Sequence, residues 1–151
     1  MVLSLIQQKL LSLPILYVSG YINGNRSEYY RLLRRVSSDA DWYAWIGFVL
    51  KGFHLQAKAT KDLLFKVMEM LENSREHLRS KHKKLYSAEL VEALYSSPII
   101  TPVSLGKRLD VNYRTASRYL AELVRGKVVG EQFVGKYHLF INKPLLALLK
   151  K

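Results

Sequence analysis

The chain has 151 residues with 49% hydrophobic content, enough for one full core or two small ones that share an interface, which excludes a long disordered protein. Lys plus Arg number 24 against 12 for Asp plus Glu, and the formal charge of +12 favours polyanionic surfaces, nucleic acid before anionic membrane. With no cysteine, disulfide frameworks, thiol nucleophiles, Cys-ligated zinc and iron–sulfur clusters are excluded, and a cytoplasmic location fits best.

The apolar start is interrupted by Lys9 and Pro14 and ended by Ser19, Gly20, Asn23 and Asn25. It falls short of the roughly 20 apolar residues a membrane-spanning helix needs and reads as a buried helix. Ser19 is placed to cap a helix carrying Ile22, Tyr29, Leu33 and Val36 on one stripe, with Ser37 and Ser38 ending it. Asp39 or Asp41 then caps a longer helix in which Trp42, Trp45, Ile46, Val49, Leu50 and Phe53 recur every three or four residues. That stripe continues through Leu64, Val67, Met68 and Leu71 after a bend near Gly52. Neither stripe can be buried by its own helix, so these helices must pack on each other, on the N-terminal helix or on another chain.

Charge divides the chain unevenly. Residues 1–74 carry 9 basic and 6 acidic side chains, a net +3, and residues 75–151 carry 15 and 6, a net +9. The expected organisation is a helical segment over 1–74, a basic helical connector over 75–84 and a further domain over 85–151. A solvated helix face is the plainer reading of the connector. Past it, a helix from about Leu85 to Tyr95 ends at Ser96, Ser97 and Pro98, and Ile99 and Ile100 form a short extended piece. Thr101 caps a short helix with Pro102 at its first position, Val103 to Leu109, and Asp110 and Val111 turn the chain. Asn112 caps the next helix, Tyr113 to about Arg125. Two extended stretches follow, around Val128 to Phe133 and Tyr137 to Ile141, with Gly135 in the turn, and Asn142 caps a final Leu-rich helix.

Helix, strand, helix, turn, helix and hairpin is the order of a winged helix-turn-helix, so the fold class is mainly α: a helical bundle followed by such a domain with a small β-hairpin. Gly106 lets the first helix of the pair approach closely. A helix about 10 to 12 Å across fits the major groove of DNA. With Ala116, Leu120 and Leu123 facing inward, the second helix presents Tyr113, Arg114, Ser117 and Arg118 outward. The two arginines suit guanine edges or phosphates, Asn112 and Thr115 suit a phosphate at the helix N-terminus, and Lys127 and Lys136 suit a wing touching the backbone. Asp110 stands where glycine is frequent and sets a negative charge near approaching phosphates. Ordinary solvated charge is the bland reading of Arg114 and Arg118.

Catalytic arrangements are scarce. The histidines are His54, His77, His82 and His138, none in a metal-ligand spacing, and no cofactor is implied. The stretch from Gly20 to Asn25 lacks a preceding strand and a phosphate-binding lysine, and reads as a helix start.

One set of residues is more specific. Pro14-Ile15-Leu16-Tyr17-Val18-Ser19, Tyr21, Asn25-Arg26, Glu28-Tyr29-Tyr30, Leu33, Asp41-Trp42, Trp45, Phe48 and Leu50 resemble the segment that follows the active site in Fic (filamentation induced by cAMP) proteins. The winged helix-turn-helix pattern resembles the C-terminal extension many of those proteins carry. Members of that family transfer AMP from ATP to protein hydroxyls through a His-Pro-Phe motif and a Gly-Asn-Gly-Arg anion-binding stretch, and neither string occurs in this sequence. Met1 falls about where the helix after that motif begins, so the resemblance implies a C-terminal portion and carries over no catalytic residue. The leading expectation is a non-catalytic DNA-binding or regulatory module whose partner is double-stranded DNA. The alternative is an interaction or oligomerisation module, completing a Fic core supplied by another segment or chain, or pairing with a second copy. AMP transfer itself requires the missing motif in trans.

Overall fold

The computed structural model describes residues 2–12, 16–135 and 137–150, so Pro14, Ile15 and Lys136 of the motifs above lie outside the described residues. In chain order the elements are α1 (Val2–Gln7), α2 (Val18–Gly24), α3 (Arg26–Asp39), α4 (Trp42–Lys81), α5 (Ala88–Ser96), β1 (Ile99–Ile100), α6 (Pro102–Leu109), α7 (Tyr113–Arg125), β2 (Gly130–Val134), β3 (Tyr137–Ile141) and α8 (Lys143–Leu149). The chain separates into two compact units, Met1–Leu64 and Phe65–Lys151, each with its own apolar cluster.

The first unit differs from expectation in three ways. The helix expected at its start is short: α1 stops at Gln7 with Leu5 and Ile6 half-buried, Lys9 takes a left-handed conformation at φ 58°, and Leu10 is exposed. The helix expected from Ser19 to Val36 is two helices. Gly24 and Asn25 break it, with the Asn25 amide donating to the Tyr21 carbonyl at 2.8 Å and Arg26 donating to the Asn23 side chain. Ser19 is no cap, because α2 already starts at Val18, and Ser37 and Ser38 donate back to the Leu33 and Arg34 carbonyls inside the last turn of α3. The third difference concerns the stripe on α4. Phe48 and Val49 are buried with Leu32, and Trp45 and Phe53 pack against them, but Trp42, Ile46 and Leu50 are exposed.

Asp41, not Asp39, caps α4, accepting from the Ala44 amide and forming an ion pair with Arg35 at 2.6 Å. Gly52 lies inside α4, where it admits the Tyr21 ring: a Cβ there would stand 2.6 Å from Tyr21 Cδ1.

The second unit follows the expected order closely. Ser87, Thr101, Asn112 and Asn142 cap α5, α6, α7 and α8, each side chain accepting from the backbone amide three residues on. Strands order β1-β3-β2, all antiparallel, with Ile100 opposite Phe140 and Phe133 opposite His138. Gly135, at φ 57°, turns the hairpin. The core is Leu78, Leu85, Leu90, Val91, Ala93, Leu94, Ile100, Leu105, Ala116, Leu120, Leu123, Val129 and Phe140. Leu78, from the segment expected to be a solvated connector, is wholly buried within it. Asn142 is the buried polar residue of this core. It accepts from Leu145 N and donates to the Leu94 carbonyl, which cannot bond four residues on because Pro98 has no N–H.

Candidate nucleic-acid interface

Two caps set the geometry of the α6–α7 pair. The Thr101 hydroxyl accepts from Ser104 N at 3.1 Å while the Ser104 hydroxyl accepts from Thr101 N at 2.9 Å, a reciprocal box that fixes the start of α6 with Pro102 next to it. At its other end Asp110 turns the chain at φ 52°, ψ 45°, and Val111 N returns to the Gly106 carbonyl at 3.0 Å. That return brings backbone against backbone: a Cβ on Gly106 would lie 2.8 Å from the Val111 carbonyl oxygen. Asn112 Oδ1 then accepts from Thr115 N at 2.8 Å, and α7 begins.

α7 is strongly two-faced. Ala116, Leu120 and Leu123 are fully buried, whereas Tyr113, Arg114 and Arg118 are exposed, with Ser117 and Thr115 half-buried at the edges. Asn112 is exposed too, its carbonyl engaged in the cap and its amide hydrogens turned to no protein acceptor. Arg125, which the sequence reading did not single out, extends the same face. The residues at 114, 118 and 125 fall within about 40° on a helix of 100° per residue and span about 16 Å of its length. The signal was present as a four- and seven-residue spacing of arginines. None of the three joins an ion pair among the described residues, and Glu122 sits half-buried on the flank. The Arg118 guanidinium lies 5.9 Å over the Tyr119 ring, which steadies it without neutralising it.

Around this face, Lys107 and Arg108 are exposed in the last turn of α6, and Lys127 is exposed just past α7. Asp110 is exposed between the two helices. Lys136 lies outside the described residues, and the hairpin beside it exposes Phe133, Val134 and Tyr137. His138 is absorbed by structure: its ring stacks on Phe133 at 4.1 Å, tilts on Phe140 and meets Glu131 at 3.1 Å. Among the described residues no group of His, Asp and Glu could hold a metal ion, and no helix is long and apolar enough to cross a membrane.

Comparison with known families places this unit. Residues 70–145 match the family model described as protein adenylyltransferase SoFic-like, C-terminal domain.

Proposed function

The chain belongs to the SoFic-like C-terminal family of Fic-type adenylyltransferases, and from that premise we propose that it is the DNA-binding, regulatory end of such a protein and carries no catalytic residue. The observation that supports this most directly is the α7 face. Arg114, Arg118 and Arg125 form a cationic stripe with no ion pair among the described residues, on the second helix of a helix-turn-helix whose unit also holds a three-stranded sheet. This order of elements is the one a winged helix has, and in such a domain a face of this kind enters the major groove and its guanidinium groups bond guanine edges and phosphates.

Titration of a labelled duplex at several salt concentrations tests the reading. The affinity should fall steeply with salt, by a slope of about 0.9 in log K per phosphate contact, and Arg114→Ala with Arg118→Ala should flatten that slope while leaving the fold intact. Binding that is absent, or indifferent to both substitutions, refutes it.

A second reading rests on the first unit. It buries Val18, Leu32, Phe48 and Val49 but leaves Tyr43 at 92% exposure together with Trp42, Ile46 and Leu50 on the same helix. So small a core hardly offsets the entropy of ordering that much chain. We infer that this face is covered by the catalytic part of a Fic-type protein, on another segment or chain, or by a second copy. Light scattering across a concentration series separates these: a strictly monomeric species excludes the second copy.

A further inference from the structure

We propose that a groove at the base of the hairpin, lined by Lys127 and Lys143, is a second docking point for the nucleic-acid phosphate backbone, separate from the outer face of α7. It rests on the nucleic-acid reading above.

The argument starts from how α7 ends. Lys127 N donates to the Val124 carbonyl and Val128 N to the Leu123 carbonyl, both at 2.9 Å, the paired bonds of a Schellman ending. Its left-handed residue is Lys127, at φ 57°. Glycine usually fills that position because a side chain there crowds the backbone. A glycine is present one residue earlier, for another reason: a Cβ on Gly126 would stand 2.6 Å from the His82 ring. The turn therefore holds a lysine in a conformation lysine disfavours. Helix electrostatics gains only a small further increment from it, since Arg125 already supplies a cation in the last turn of α7.

Lys143 reaches the same groove from the first position of α8. Its side chain lies across the backbone of Gly130, where an added Cβ would meet Lys143 Cε at 2.6 Å and Nζ at 3.3 Å. Any larger residue at 130 would displace it. The open groove offers about 400 Å³ between Val124, Val128 and Pro144, and among the described residues no carboxylate lines it. Neither lysine joins an ion pair among the described residues. A phosphodiester seated there would supply the counter-charge that both exposed ammonium groups lack among the described residues. Lys127 follows Arg125 by two residues, but none of the three arginines of the α7 face lines the groove.

The test uses the full chain and fluorescence anisotropy of a labelled duplex against salt. Lys127→Gly removes the charge while suiting the left-handed turn, and Lys143→Gln removes the other. Each should lower the salt slope by about 0.9, and the pair by about twice that, with thermal melting no lower than wild type. Lys143→Arg should keep the wild-type slope. Inorganic phosphate at constant ionic strength should leave duplex binding unchanged; competition at millimolar phosphate would assign the groove to the free anion and overturn the proposal. An unchanged slope in the double variant, alongside a reduced slope in Arg114→Ala, overturns the groove and leaves the α7 face standing. No duplex binding by the wild-type chain removes both.

Discussion

Replacing Asn142 with Ala tests how the second unit is held together. Asn142 is 5% exposed, and its side chain makes two bonds: Oδ1 accepts from Leu145 N at 3.2 Å, and Nδ2 donates to the Leu94 carbonyl at 3.1 Å. Losing the cap costs about 1 kcal/mol. Losing the donor leaves the Leu94 oxygen buried with no partner, because the next residue in helical register is Pro98, and an orphaned buried acceptor costs about 1–3 kcal/mol. Together the expected loss is about 3 kcal/mol, which for a unit of this size lowers the melting temperature by roughly 12–24 °C. Asn142→Ser retains a capping oxygen but not the reach to Leu94, so it should fall between Ala and wild type. Urea titration followed by circular dichroism measures both. An Asn142→Ala variant within about 1 kcal/mol of wild type, at an unchanged m-value, would refute the assignment of Asn142 as the donor that α5 lacks.

Gly106→Ala places a methyl 2.8 Å from a backbone oxygen that cannot rotate away, so the α6–α7 turn must open; thermal melting should show a loss of about 2 kcal/mol, and duplex binding should weaken with it. Glu28 bonds Arg31 through both carboxylate oxygens, and that hydrogen bond holds its pKa below the usual glutamate range and raises that of Arg31. The pairing is therefore complete above the ordinary glutamate pKa and is lost as pH falls through the lowered one; carboxyl NMR should show Glu28 titrating below an ordinary glutamate, and Arg31→Met should move it up toward the ordinary value, with Arg35 still acting on it. Asp110→Gly relieves a left-handed aspartate and removes a negative charge near the start of α7, worth about 0.5 kcal/mol, or a factor of about two in duplex affinity, if a phosphate comes within roughly 8 Å. Weaker duplex binding by a folded Asp110→Gly variant would argue against phosphates at that end of α7.

The second unit was the more legible from sequence because its signals are local. Thr101, Asn112 and Asn142 each precede an apolar pattern by the spacing a cap requires, and each caps as expected. The alternation that places Ala116, Leu120 and Leu123 inward leaves little choice for Arg114 and Arg118. In the first unit the periodicity on α4 was real, but periodicity identifies a face, not what covers it. Trp42 and Leu50 share the stripe with Val49 and are exposed, because α2 and α3 cover only the side on which Leu32 and Tyr29 lie. The break at Asn25 was missed because Gly24 and Asn25 interrupt an apolar pattern that stays in register across them. Lys143 carried no signal at all: its neighbour Gly130 is 13 residues away, and only the fold of β2 against α8 brings its side chain over that glycine.

The left-handed residues flanking α7 tie these observations together. Asp110 precedes the helix and Lys127 follows it, each at a position where glycine would fit with less strain. Their signs suit the helix: a negative charge near the amino end and a positive one past the carboxyl end both lower its energy, by roughly 0.3–1 kcal/mol. For a phosphate ligand the two differ. Asp110 opposes it and Lys127 attracts it, so helix stability and nucleic-acid affinity pull together at one end of α7 and apart at the other. Mutating both ends separates the two effects, because removing Asp110 should strengthen duplex binding while removing Lys127 should weaken it, whatever either does to the melting temperature.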